Sequence, residues 1–392
     1  MDITITPGRL CGTVSAIPSK SQAHRLLICA AFADSPTTIL CSQINRDMEA
    51  TVDCLRALGA TITYEDGRFL VIPCTEIPKT ATLPCRESGS TLRFFLPVVG
   101  ALGVDGLFTM DGRLPHRPLS PLWEEMERMG CALSRPAENT IRCTGKLSCG
   151  EYFIDGGVSS QFITGLMLAL PLMAGESKLH ITGNLQSAPY LDMTRKALEC
   201  FGIPENPGYC SPGEVTVEGD WSNGAFFLAA ETLGNSLTVT NLNLDSAQGD
   251  REVARLLPLL KSTCPTISAA DIPDLVPILA VAAAANHGAV FTDIQRLRLK
   301  ESDRVASTAA MLENLGGSAA ATENTLTVFP ACLSGGTVDS FNDHRIAMAT
   351  AIAATVCREP VTILGAESVE KSYPQFWTEY RRLGGKYEQY LR

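Results

Sequence analysis

The sequence predicts an α/β protein of two similar domains, each assembled from three related units. Three observations predict it. A pattern of apolar helix, closing glycine and paired strands recurs along the chain, the closing glycines are almost evenly spaced, and 392 residues suffice for two or three domains with real cores.

The clearest copies are VDCLRALGATITYEDGRFLVI (52–72), WEEMERMGCALSRPAENTIRC (123–143) and AAMLENLGGSAAATENTLTVF (309–329). In the first, Val52, Leu55 and Leu58 recur at helical spacing, and Gly59 supplies the left-handed residue that stops a helix. Asp66-Gly67 is a hairpin signal, and Phe69 and Val71 alternate with their neighbours as a strand does. The closing glycines Gly59, Gly130 and Gly202 are 71 and 72 residues apart, and Gly316 and Gly384 are 68 apart. RLLPLLKSTCPTI (255–267) reads as a degraded copy without its glycine. Six units follow, three per half, with the join near Glu218–Trp221.

Composition narrows the function. With 32 Lys+Arg against 42 Asp+Glu, the formal charge of −10 leaves no cationic excess for nucleic acid. The longest apolar run, Leu275 to Ala285, contains a proline and is too short for a membrane span, and the N-terminus lacks the features of a signal peptide. A cytoplasmic protein is expected. Fourteen cysteines contain no C-x-x-C pair; Cys29, Cys54, Cys200 and Cys357 sit among apolar residues, so reduced core thiols are expected. HExxH, Walker A and GxGxxG are absent.

Three segments of the first half place small hydroxylated residues ahead of apolar helices: PSKSQAHR (18–25), ESGSTLR (87–93) and GGVSSQF (156–162). Helix N-termini attract anions, and three of them at about 70-residue intervals suggest one common anionic ligand. Lys20 lies beside the first, and Arg25 falls one turn beyond Ser21. Gly89 lets a ligand approach the second, and Pro115 and Pro118 stiffen a loop that presents Arg117. The second half adds carboxylates beside cations: Asp274 before an almost wholly apolar helix, as a cap or a base, then Lys300, Glu301, Asp303 and Arg304, then Asp343, His344 and Arg345, then Lys371. Singly, each reads as a solvated charge cluster or a cap. Together they describe a cleft with cations for anionic substrates and carboxylates for proton transfer.

In order, SKSQAHR, SGSTLR, SSQF, SAPYLDMT, EGDWS, IPDL, LKESDR, NDHRIAM and KSYP resemble the enolpyruvyl transferase family, specifically its EPSP synthase branch, over nearly the whole chain. The resemblance implies a two-lobed inside-out α/β barrel of six βαβαββ repeats, three per lobe. Residues 18–217 would form a lobe that binds shikimate 3-phosphate. Residues 218–392, with 1–17, would form a lobe that binds phosphoenolpyruvate and carries the acid/base residues. The implied reaction moves the enolpyruvyl group of phosphoenolpyruvate to the 5-hydroxyl of shikimate 3-phosphate and releases phosphate, by addition and elimination. No metal or organic cofactor is implied, and a monomer is expected, its partners being the two small-molecule substrates, without nucleic acid or membrane.

The resemblance also implies roles. Lys20, Ser21, Arg25, Ser159, Ser160, Gln161, Ser187, Asp274 and Lys300 would bind shikimate 3-phosphate. Lys20, Gly89, Arg117, Gln161, Arg304, Arg345 and Lys371 would bind phosphoenolpyruvate. Asp274 is the expected base for the 5-hydroxyl, with Glu301 and Lys20 moving protons at the methylene. Gly89 further implies sensitivity to glyphosate. Glu87, Arg296 and His24 stand where many members carry Asn, so Glu87 is left out of the site. The branch that acts on UDP-N-acetylglucosamine carries a loop cysteine near Arg117, and DGRLPHRPLSPL (111–122) has none. A non-catalytic sugar-phosphate-binding protein on the same scaffold would have no need of Asp274, Glu301 and Lys20 together.

Overall fold

The computed structural model describes residues 1–204 and 207–390. The chain divides into two compact units, Pro18–Glu218 on the one hand and Met1–Ile17 with Gly219–Arg392 on the other. The first unit contains helices α1 (Lys20–Ala31), α2 (Arg46–Ala57), α3 (Gly89–Leu102), α4 (Leu122–Arg128), α5 (Ser160–Ala169) and α6 (Ala188–Phe201). The second contains α7 (Trp221–Thr232), α8 (Val253–Ser262), α9 (Val276–Ala284), α10 (Arg304–Asn314), α11 (His344–Ala353) and α12 (Phe376–Arg382).

Among the described residues each unit has two four-stranded sheets and one two-stranded sheet. The four-stranded sheets share one plan: a parallel pair, then two antiparallel neighbours. Thr80–Arg86, Asp105–Met110, Thr140–Gly145 and Cys131–Ser134 follow it in that spatial order, and Thr266–Ser268, Ala289–Thr292, Thr325–Phe329 and Ser318–Ala321 repeat it. A third sheet borrows its first strand, Glu214–Thr216, from the far end of its own unit. A fourth takes in the N-terminal strand Asp2–Thr6, which pairs antiparallel with both Val361–Leu364 and Lys386–Tyr390 and buries Ile3 and Ile5. That pairing places the first residues of the chain in the second unit.

Among the described residues two of the six expected repeats lack part of their sheet. The parallel pairs Glu151–Asp155 with Lys178–Thr182, and Cys11–Ser15 with Ser236–Thr240, stand there as two-stranded sheets without the antiparallel neighbours. The degraded copy explains one of them. Without a glycine, α8 gives way at Thr263 to extended backbone, and the chain runs directly into Thr266–Ser268, the first strand of the next sheet. At the other copies the glycines do what their position requires. Gly59, Gly130, Gly202, Gly316 and Gly384 all follow a helix, with φ between +61° and +110°, where a side chain would be strained.

The apolar faces form a separate core in each unit. Every residue of α9 and α11 is buried, which fits the nearly uninterrupted apolar composition of α9. In the second unit α7, α9 and α11 pack on one another, as α1, α3 and α5 do in the first. Each unit is thus built on three helices that pack on one another. The expectation for the cysteines needs correcting. Cys29, Cys54 and Cys357 are buried, but Cys200 lies exposed on α6, as do Cys11, Cys149, Cys264 and Cys332 elsewhere. Apolar neighbours in sequence did not reveal that Cys200 is on the solvent side of its helix. Among the described residues no helix is long and apolar enough to cross a membrane.

Candidate active site

Most of the charged motifs fall at helix N-termini, those of the first unit at its central helices α1, α3 and α5. In the Pro18–Glu218 unit the N-cap residues of α1, α3 and α5 are Ser19, Ser88 and Ser159. Lys20 and Ser21 therefore occupy the first turn of α1 instead of preceding it. Lys20 Nζ lies 2.8 Å from Asp47 Oδ2, with both side chains largely covered. The Arg25 guanidinium is buried and turned inward. It donates to the carbonyl of Ser21, to Thr194 Oγ1 at 2.8 Å, to the carbonyl of Tyr190 at 2.9 Å and to Thr164 Oγ1 at 3.3 Å. It thus fixes the first turn of α1 against α5 and α6. Ser187, the N-cap of α6, has φ of +59° and is also buried.

At α3, Ser88 Oγ accepts from the Thr91 amide and Gly89 begins the helix. Arg93 donates to Gln161 Oε1 at 2.7 Å and to the carbonyl of Pro118 at 3.0 Å, and Gln161 Nε2 donates to Ser90 Oγ at 3.0 Å. Ser159 Oγ accepts from the Gln161 amide, and Ser160 is buried in the first turn of α5. The Pro118 contact ties the proline-stiffened loop to α3 and brings Arg117 over Gly89. A methyl group on Gly89 would lie 2.6 Å from Arg117 Nη1 and 3.0 Å from Arg93 Nη1. Gly89, Arg117 and Gln161 are thus neighbours, joined by Arg93, which the motif reading noted without assigning to the site. Glu87 packs instead against Gly112.

A buried relay joins these turns. His24 Nδ1 is 2.7 Å from Thr51 Oγ1, Thr51 is 2.8 Å from Thr91 Oγ1, and Thr91 Oγ1 donates to Ser88 Oγ at 2.7 Å. Burial foremost pushes His24 down to about 3, with Lys20 and Arg25 adding to it against Asp47. The folded state therefore holds a neutral imidazole that the unfolded chain protonates near 6.5. Because the folded pKa is depressed, stability present above 6.5 is lost as pH falls toward 3, by up to about 1.4 kcal/mol per unit. Denaturant midpoints at pH 7 and pH 5 check this: wild type is expected to lose more on acidification than His24→Asn, and equal losses would remove His24 as the source.

In the second unit the expected residues meet closely. Asp303 and Asp343 are the N-caps of α10 and α11, and Arg304 and Arg345, both buried, lie in the first turns. Arg304 donates to Asp343 Oδ2 at 2.9 Å, Asp274 Oδ1 at 2.5 Å and Glu301 Oε2 at 2.6 Å. Arg345 donates to Asp274 Oδ2 at 3.2 Å and to Ser222 Oγ at 3.1 Å. Lys300 Nζ lies 3.5 Å from Asp274 Oδ1. Asp274 is therefore not a helix cap; Leu275 holds that position of α9, and the carboxylate sits among three cations. Burial alone would raise its pKa, but Arg345, Lys300 and Arg304 outweigh burial and hold it well below the usual carboxylate range. Lys300 is pushed down to about 8, by burial first and then by Arg304 and Arg296, against Asp274 and Glu301. Lys371 donates to the Asn342 carbonyl at 2.8 Å, just ahead of Asp343.

The partners Asp47, Asp343 and Ser222 were not among the expected site residues. Asp343 was visible in NDHR as one of several charges. Ser222 was visible only as the last residue of EGDWS, and Asp47 had no signal, because an acid in the first turn of α2 is ordinary sequence. Among the described residues no group of three or more His, Cys, Asp or Glu side chains is placed to hold a metal ion.

The sequence matches the EPSP synthase (3-phosphoshikimate 1-carboxyvinyltransferase) family over residues 5–380. The 3-phosphoshikimate 1-carboxyvinyltransferase of Clostridium kluyveri is 36% identical over 420 residues, covering 99% of this chain and 98% of the relative. That of Clostridium acetobutylicum is 37% identical over 416 residues, covering 98% and 97%. Among solved structures, an EPSP synthase from Acinetobacter baumannii superposes with a TM-score of 0.81 at 22% identity, covering 99% of this chain and 100% of the other. The enolpyruvyl transferase NikO from Streptomyces tendae gives 0.71 at 18% identity, covering 99% and 98%. These two share the fold. The sequence match spans nearly the whole chain, and on that ground the chain belongs to the EPSP synthase family.

Proposed function

We infer that this chain transfers the enolpyruvyl group of phosphoenolpyruvate to the 5-hydroxyl of shikimate 3-phosphate, as a cytoplasmic monomer without metal or organic cofactor. The observation that carries the reading is the cluster in which Asp274 and Glu301 share Arg304. Binding of anions alone has no use for carboxylates at that position; proton transfer does. Full-length relatives named for this reaction favour it over transfer to UDP-N-acetylglucosamine.

Ser21, Arg25, Ser159, Ser160, Ser187 and Lys300 would hold shikimate 3-phosphate. Gly89, Arg117, Arg304, Arg345 and Lys371 would hold phosphoenolpyruvate, with Lys20 and Gln161 touching both. Asp274 takes the proton of the 5-hydroxyl as its oxygen bonds to C2 of phosphoenolpyruvate, while Glu301 or Lys20 protonates the methylene. A tetrahedral ketal results. Removal of a proton from the new methyl group and cleavage of the C2–O bond then expel phosphate and restore the enol. Unliganded, Asp274 is a poor base, since Arg304 and Arg345 hold it ionised. An incoming phosphate or carboxylate competes for the same guanidinium hydrogens, and its charge raises the Asp274 pKa at the moment a base is needed.

Phosphate release is the direct test: it is expected only when both substrates are present, and undiminished by a chelator. Release from phosphoenolpyruvate alone, or dependence on an added divalent ion, would overturn the reading.

For Asp274→Asn, kcat is expected to fall about 10²-fold or more, as loss of a general base does. The KM for phosphoenolpyruvate should not rise, because the substitution removes a competitor for the two arginines. Turnover at the wild-type rate would exclude Asp274 as the base.

Gly89→Ala tests the α3 turn. The added methyl meets Arg117 and Arg93 before it can reach any ligand, so both guanidiniums must shift. The KM for phosphoenolpyruvate and the tolerance of glyphosate should each rise about tenfold, with kcat little changed, as for lost uniform binding. Steady-state kinetics with an inhibitor titration decide the matter, and equal tolerance in both enzymes would place Gly89 outside the pocket.

A further inference from the structure

Asp250 is a buried carboxylate that the reaction described above does not use. It lies in a 3-10 turn, Gly249–Glu252, ahead of α8, and is 4% exposed. Its Oδ2 accepts the hydrogen of Ser222 Oγ, in the first turn of α7, whereas Oδ1 is buried with no hydrogen-bond partner among the described residues. Ser222 also receives Arg345 twice, with Nη2 donating to Oγ at 3.1 Å and Nη1 to the carbonyl at 3.3 Å.

A hydroxyl has one hydrogen. Because that hydrogen points to Asp250, the lone pairs of Ser222 Oγ are left for Arg345, and both Nη atoms are held on one residue. The second hydrogen of Arg345 Nη2 is then directed at Asp274 Oδ2, 3.2 Å away, beside the position proposed for the substrate anion. The bridging work in this segment belongs to Gln248, two residues earlier, which accepts from the Trp221 amide at 3.0 Å and donates to the Gly219 carbonyl at 2.9 Å. Asp250 makes no such backbone bridge. We propose that Asp250 is a positioning residue for phosphoenolpyruvate, acting through the Ser222 hydroxyl to fix the guanidinium plane of Arg345.

The burial of Asp250 agrees with this. Burial foremost, then Asp274 and more weakly Asp220, push it up to about 7 against Arg345 and Ser222. An unpaired carboxylate oxygen in such surroundings is destabilising, so a contact that matters elsewhere is the reason for its presence.

The inference rests on Arg345 binding phosphoenolpyruvate, and a double-mutant cycle separates the two claims. Steady-state kinetics are measured for Asp250→Asn, Ser222→Ala, the double variant and Arg345→Lys. Asp250→Asn and Ser222→Ala should each raise the KM for phosphoenolpyruvate about tenfold while leaving that for shikimate 3-phosphate within about twofold, and the double variant should be no worse than the worse single one. Ser222→Thr, which keeps the hydroxyl, should restore the wild-type value, and it keeps the test decisive should Asp250→Asn fail to fold. Additive effects, or a parallel rise in both KM values, overturn the positioning role. Unchanged kinetics in the Asp250 and Ser222 variants beside a raised KM in Arg345→Lys overturn this inference alone. An unchanged KM in Arg345→Lys overturns the reading of the site as well.

Discussion

Arg304 and Arg345 are buried to within 2% of full enclosure, and a guanidinium keeps its proton under any condition in which the protein folds. Each must therefore be met by carboxylates or by well-aimed acceptors, since an unpaired buried charge would be strongly destabilising. Asp343, Asp274, Glu301 and Ser222 meet that demand, and they come from four places in the chain. Arg345 alone connects the starts of three central helices: α11 that carries it, α7 through Ser222, and α9 through Asp274. The order of the second unit around its helix N-termini follows from that requirement.

The two units answer the same geometric problem with opposite chemistry. In the Pro18–Glu218 unit α1, α3, α5 and α6 begin at serines, and the side chains of Ser19 and Ser187 make no capping bond to their helices. These caps are neutral, so they leave the positive charge of the helix ends largely in place, which suits a phosphate or carboxylate. In the second unit α7, α10 and α11 begin at Asp220, Asp303 and Asp343, each accepting from backbone amides of its own helix. Negative caps cancel the attraction of those helix ends for anions. What remains attractive there is the guanidinium groups, so recognition passes from backbone to side chains.

What sequence could show depended on whether a residue acts through its own backbone or through a distant partner. Gly59 and Gly316 were legible because a left-handed helix end is a local demand that few residues meet. The serine-led helix starts and the Asp274, Arg304 and Arg345 motifs were legible for a related reason: each is a short run of polar residues in front of an apolar helix. Of the two units that show no hairpin among the described residues, one was legible through the glycine missing after α8, and the other was not, because its Gly202 is in place. The links from Lys20 to Asp47, from His24 through Thr51 to Thr91, and from Ser222 to Asp250 were illegible as well. Each spans between 27 and 40 residues, and no pattern within one element announces them.

The unliganded pairing bears on how the proposed substrates would bind. Lys20 is held by Asp47, Gln161 by Arg93 and Ser90, and Arg304 and Arg345 by Asp274. A substrate anion entering either set does not meet bare cations; it exchanges with a carboxylate or an amide already in place. Exchange lowers the net gain from each contact, since the displaced group must find new partners or water. It also makes the gain selective. A ligand with one anionic group can displace one partner, whereas one with both phosphate and carboxylate can satisfy the shared hydrogens of Arg304 and Arg345 together and leave Asp274 without either. On the proposed reaction, only the second kind of ligand would free Asp274 from both arginines, so the internal pairing would couple recognition of the doubly anionic substrate to the start of the chemistry.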